Sequence, residues 1–97
     1  MPQVSLSGRL VCRSDDEAAA IRRHLPLHLS LTRAEPGCMS FEVREADDPW
    51  VWQVEERFSD EAAFAAHQAQ DAASEWGRVT AGIERRYVVD GVTAPAS

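Results

Sequence analysis

Ninety-seven residues can enclose one hydrophobic core and leave no room for a second. The chain is 44% hydrophobic and 27% charged, as ordinary soluble domains are; its formal net charge of -6, with every basic residue an arginine, argues against nucleic acid or an anionic membrane as main partner, because phosphate binding wants a basic face. No stretch approaches the roughly 18 apolar residues of a membrane span, Met1 to Arg13 lacks the pattern of a secretion signal, and Cys12 and Cys38, without metal-ligand spacing, are expected to be free thiols of a cytoplasmic protein.

Val4 to Arg13 alternates, with Val4, Leu6, Gly8, Leu10 and Cys12 on one face, and reads as a strand buried on one side. Gly8 in its interior predicts a bulge or a large side chain lying over it. Ser14-Asp15-Asp16-Glu17 predicts a capping box, in which Ser14 accepts from the Glu17 amide and Glu17 reaches back to the Ser14 amide. The following helix carries Ile21, Leu25 and Leu29 at four-residue spacing. Pro26 removes one hydrogen bond and crowds the Arg22 carbonyl, which predicts two pieces, about 15–24 and 26–35, meeting at a kink. Pro36-Gly37 ends that helix, and a strand over about 38–46 begins with Met39, Phe41 and Val43 on one face.

Asp47-Asp48-Pro49 is a turn. Strand three, about 50–58, puts Trp50, Trp52, Val54, Glu56 and Phe58 on one face. Ser59 is the expected cap of an alanine-rich second helix, with Asp60 and Glu61 in its first turn. At about 100° per residue His67 and Trp76 lie roughly 180° apart on a straight helix. A common cavity for both therefore needs a break, expected near Ala73-Ser74, with Gly77 as a later stop. Strand four is Ile83 to Asp90. Residues 1–90 form the expected single domain and 91–97 a frayed tail.

The order β-α-β-β-α-β predicts an α+β, ferredoxin-like domain: a four-stranded antiparallel sheet, strand order 4-1-3-2, with the helices on one face. Val11, Val51 and Val88 fall on the other face, and a half-apolar uncovered sheet face usually meets another subunit. A homodimer through that face is expected.

Glu56 is the odd residue of strand three, a carboxyl on the face that points at the helices. Burial there is costly unless the group is paired, and it raises the pKa. One reading is a structural pair with a helix residue or a water. The other is that Glu56 and His67 meet over a pocket walled by aromatic rings and act as an acid–base pair able to deprotonate a phenolic substrate. His67, on the Phe64 side of helix two, reads equally as a core histidine bonded to a backbone carbonyl. His24 reads as exposed. For His28, beside the Leu25/Leu29 stripe, packing against the sheet is the plainer reading. Trp52, Phe64, His28 and Trp76 form the candidate substrate-binding set, although core filling is the default role for most buried tryptophans.

Three segments carry a resemblance: Leu31-Thr32-Arg33-Ala34-Glu35-Pro36-Gly37-Cys38 leading into Phe41-Glu42-Val43, then Val54-Glu55-Glu56-Arg57-Phe58, then Asp60-Glu61-Ala62-Ala63-Phe64-Ala65-Ala66-His67. Over about residues 4–90 the chain resembles the antibiotic biosynthesis monooxygenase domain family, in its quinol monooxygenase-like group. The resemblance implies a dimeric α/β-barrel and a small oxygenase that oxidises phenolic or quinol-type substrates with O2, without metal, flavin or haem. Glu56 and His67 match the family's charged strand residue and helix histidine. Haem-degrading relatives use an Asn on strand one and a later His on helix two; this chain has neither, so haem breakdown is not implied. The expected function is cofactor-independent oxidation of a small aromatic compound. The alternative is a non-catalytic dimeric ligand-binding or accessory protein of the same fold.

Overall fold

Alternation of apolar and polar side chains makes the strands, and their pairing follows which face must be buried. The computed structural model describes residues 2–92. Its elements are β1 (Val4–Val11), α1 (Asp15–Arg33), β2 (Cys38–Glu45), β3 (Val51–Phe58), α2 (Glu61–Ala73), α3 (Glu75–Val79) and β4 (Glu84–Asp90). The sheet order is β2-β3-β1-β4, antiparallel throughout, which is the expected ferredoxin-like arrangement. Residues 93–97 of the expected tail lie outside the described residues. Among the described residues no helix is long and apolar enough to cross a membrane.

Several local expectations need correction. The helix does not break at Pro26: α1 runs unbroken for 19 residues. Pro26 and Arg22 both lie on its exposed side, where water can satisfy the freed carbonyl. Meanwhile Ala18, Ile21, Leu25, His28 and Thr32 form a continuous buried stripe. Burying Ile21 and Leu25 contributes about 1.5–3 kcal/mol each, enough to outweigh the ~3 kcal/mol that an interior proline costs. The Ser14 Oγ accepts from the Glu17 amide as expected, at 3.1 Å, but Glu17 reaches one residue further back, to the Arg13 amide at 2.7 Å. Asp60, not Ser59, caps α2, accepting from the Ala63 amide at 2.8 Å.

Met39 is half exposed instead of sharing a face with Phe41 and Val43. Cys38 pairs with Phe58 and Ser40 with Arg57, so Met39 is the extra residue of a bulge and is turned outward, while Phe41 and Val43 keep the core phase. Gly8 is not a bulge. The register of β1 is unbroken there, and a Cβ on Gly8 would sit 2.8 Å from the Tyr87 ring. The small residue is needed so that this ring can lie over the strand. Trp50 precedes β3, 37% exposed, and its indole N–H donates to Asp15 at 2.8 Å.

The break after α2 falls at Ser74, as expected. Its amide and its hydroxyl both donate to the Asp71 carbonyl, at 3.1 and 2.7 Å. The same hydroxyl accepts from the Gly77 amide at 3.1 Å, so one serine closes α2 and opens α3. Gly77 is not a stop but lies inside α3, where a Cβ would collide with the Asp71 carbonyl. That close approach turns α3 back toward α1. Cys12 and Cys38 are free.

Candidate functional site

Strand phase decides which side chains meet beneath the helices. On that face Leu6, Glu56 and Phe41 lie in one row across β1, β3 and β2, and Gly8 and Val54 face Tyr87 and Val43 in the next. Glu56 is thus at the centre of the sheet, 6% exposed, among groups that cannot solvate it. Its Oε1 has no hydrogen-bond partner among the described residues. Burial, and behind it the nearby carboxyls of Asp71 and Glu35, push its pKa up to about 8.

A cavity of about 300 Å3 opens beside it. Glu56 forms its floor together with Val54 and Val43; Tyr87 and Arg85 of β4 close one side, and His28, Asp71 and Trp76 bring in all three helices. The turn at Ser74 brings Trp76 flat against His28, with ring centroids 4.3 Å apart and planes within 5°. Burial, then the neighbouring His67 and Arg85, push His28 down to about 4, so its ring is neutral at physiological pH. His28 Nε2 lies 3.3 Å from Asp71 Oδ1, close but not aligned as a hydrogen bond, since that oxygen has no hydrogen-bond partner among the described residues. Asp71 is itself raised, first by burial and then by Glu35, against the opposing pull of His67 and Arg85. The Arg85 guanidinium donates to Thr80 and Ile83 of the α3–β4 turn, which fixes its place in the wall.

His67 stands directly behind Glu56, its Nε2 3.7 Å from Oε1, and is 2% exposed. It does not line the cavity. Its Nδ1 is 2.9 Å from Glu35 Oε1, so its partner is a carboxyl from the α1–β2 turn and not a backbone carbonyl. Phe58 stacks on it with centroids 4.9 Å apart, and Phe41 meets it edge-on at 5.7 Å.

Of the residues singled out from the sequence, Glu56, His28 and Trp76 share the cavity, and His67 supports Glu56 from outside it. Trp52 and Phe64 are not in the wall. Trp52 is buried under α1, with the Arg22 guanidinium 5.8 Å from its ring centroid, and Phe64 packs on Phe58 at 5.9 Å. Both are core residues: strand and helix phase placed them on the inward face but could not say how far along it the cavity lies. Asp71, Arg85, Tyr87 and Glu35 were missed. For two of them the sequence holds a partial signal: Asp71 is four residues after His67 and so on the same helix face, and Gly8 marks room for a large neighbour, the Tyr87 ring.

Residues 12–79 match the family model described as antibiotic biosynthesis monooxygenase. No curated protein matches the sequence significantly. Among solved structures, Rv0793 from Mycobacterium tuberculosis is 24% identical with a TM-score of 0.71, covering 98% of this chain and 99% of that one. PA3566 from Pseudomonas aeruginosa is 21% identical with a TM-score of 0.75, covering 99% and 97%. SnoaB, a cofactor-independent oxygenase from Streptomyces nogalater, is 15% identical with a TM-score of 0.74, covering 100% and 97%. At these identities the likeness is one of fold.

Proposed function

The chain belongs to the antibiotic biosynthesis monooxygenase family, and we propose that it is a small oxygenase that uses O2 to oxidise a phenolic or quinol-type aromatic compound without metal, flavin or haem. The observation that carries this reading is a carboxyl raised to about 8 at the floor of an aromatic-walled cavity. A phenol loses its proton near pH 10. Burial raises Glu56 from 4.5 to about 8 and the Tyr87 phenol of the same cavity from 10 to about 12, so the mismatch between carboxyl and phenol narrows by roughly 2 kcal/mol, at 1.36 kcal/mol per unit. The same burial that raises Glu56 keeps water from the anion once it forms.

Glu56 takes the hydroxyl proton; the electron-rich anion passes an electron to O2; the radical pair combines at a ring carbon bearing hydrogen. Loss of water from the resulting hydroperoxide leaves a quinone, so that phenol and O2 give quinone and H2O. His28 and Trp76 supply a flat stacked wall suited to an aromatic ring. The fold likeness to SnoaB, a cofactor-independent oxygenase, supports the same reading.

Oxygen uptake on a panel of hydroquinones and naphthols tests it. The expected result is turnover whose kcat/KM rises with pH through about 8, and loss of that turnover in Glu56→Gln. Binding of the same compounds without oxygen uptake would replace the oxygenase with the ligand-binding alternative.

We also propose a homodimer through the open sheet face and a cytoplasmic setting. Val11 and Val51 are half-buried and Val88 is 66% exposed on that face, and both cysteines are free. Light scattering at micromolar concentration should give twice the chain mass; the monomer mass would exclude this interface.

A further inference from the structure

We propose that Glu35, outside the cavity, is a positioning residue that makes His67 a proton store behind Glu56. This rests on the oxygenase reading for the source of the proton. Three groups follow one another from the cavity to the α1–β2 turn: Glu56 Oε1, then His67 Nε2 at 3.7 Å, then His67 Nδ1 with Glu35 Oε1 at 2.9 Å. The inner contact is longer than a hydrogen bond, but catalytic hydrogen bonds of an unliganded site commonly tighten when substrate arrives. Glu56 Oε1 has no other partner among the described residues to hold it back.

The outer contact sets the chemistry of the inner one. A carboxylate can only accept, so the bond to Glu35 places the ring proton on Nδ1 and leaves the Nε2 lone pair facing Glu56. His67 can then take the proton that Glu56 has removed from substrate. The imidazolium so formed lies between two carboxylates, which stabilise its charge. The balanced reaction releases no proton to solvent, since both hydrogens lost by the phenol end in water. A stored proton must therefore come back to the peroxidic oxygen, by the reverse path through Glu56. No electron moves in either transfer.

Glu35 is well placed to stay put. It sits in the turn between α1 and β2, where the Cys38 amide donates to its carbonyl at 3.1 Å. Its carboxyl is 14% exposed and lines an outer groove of about 400 Å3 with Pro36, Gly37, Asp60 and Gln70. The other titratable or charged groups facing this line are His28 from α1, Cys38 from β2, Asp71 from α2, and Arg85 and Tyr87 from β4. None of them comes between Glu35 and His67.

The test combines nitrogen-15 NMR of the histidine rings with oxygen-uptake kinetics. In the unaltered protein the neutral His67 ring should carry its proton on Nδ1; a proton on Nε2 with a bare Nδ1 overturns the proposal without any variant. Glu35→Gln, whose amide can donate as well as accept, should release that tautomer preference. It should lower kcat about 100-fold, at the low end of acid–base contributions, with KM within about 2-fold. The pH limb near 8 should also move to lower pH, because one of the charges that raise Glu56 is gone. Glu35→Asp should restore most of kcat. Unchanged kcat and an unmoved limb in Glu35→Gln overturn the proposal. If that variant does not fold, the tautomer of the unaltered protein decides. If the unaltered protein oxidises no quinol, the oxygenase reading fails, and the ring tautomer still decides whether Glu35 orients His67.

Discussion

Between pH 6.5 and 8 the fold should lose about 1.5 kcal/mol of stability through Glu56, and Glu56→Gln should remove most of the loss. Glu56 holds its proton up to about 8 in the folded chain, against 4.5 when unfolded. Over that interval the native state binds the proton that the unfolded state has released, so stability falls as pH rises, by 1.36 kcal/mol per unit. His28 has the opposite sign. Its folded pKa of about 4 lies below the unfolded 6.5, so stability rises with pH between those values. The two slopes cancel over roughly pH 4.5–6.5, and above 6.5 the His28 slope is gone while the Glu56 slope remains. Asp71, also raised, adds to the decline from the ordinary aspartate range upward. Urea denaturation at pH 6.5 and 8 reads the difference directly; an equal fall in Glu56→Gln would place its source elsewhere.

His67→Ala should destabilise the fold by about 3–5 kcal/mol, a fifth or more of the ~5–15 kcal/mol available to a domain. The imidazole is among the largest fully buried side chains. It stacks on Phe58, touches Phe41 and hydrogen-bonds Glu35. Its removal opens a cavity in an aromatic cluster and leaves both Glu35 and Glu56 without their nearest partner. Read from the sequence, an acid–base pair would leave the fold intact in this variant and a structural pair would cost roughly 1–3 kcal/mol through an unpaired carboxyl; the stacking, not visible there, adds to both. His24→Ala, on the outer part of α1, should change the urea midpoint little. A midpoint shift as small in His67→Ala would mean that the ring carries no packing load.

Those two residues also mark how far the sequence can be read. Glu56 is conspicuous in it because a carboxyl in phase with Trp52, Val54 and Phe58 breaks the alternation that a buried strand demands, and the sheet does bury it. His67 is conspicuous for its spacing from Phe64. That the two approach each other follows from β3 lying under α2. Nothing local announces that Glu35, 32 residues before His67, takes its other nitrogen, or that Arg85 and Tyr87 reach the same cavity from the edge strand. These are consequences of where the strands lie in the sheet, not of any motif.

Local chemistry settles the element order, the phases of β1, of β3 and of β2 from Phe41 onward, the Ser14 cap and the break at Ser74. Each rests on chemistry within a few residues: period-two burial, a hydroxyl accepting from an amide, a serine that interrupts a helix. Tertiary structure decided what those local signals leave degenerate. It kept α1 whole through Pro26, because burial of Ile21 and Leu25 outweighs one lost hydrogen bond. It expelled Met39 in a bulge so that Phe41 could stay in register with Glu56. It sent Trp52 and Phe64 to the core and Trp76 to the cavity. It also set the protonation of Glu56 and His28, since desolvation and charge at a site sum over every element that closes around it.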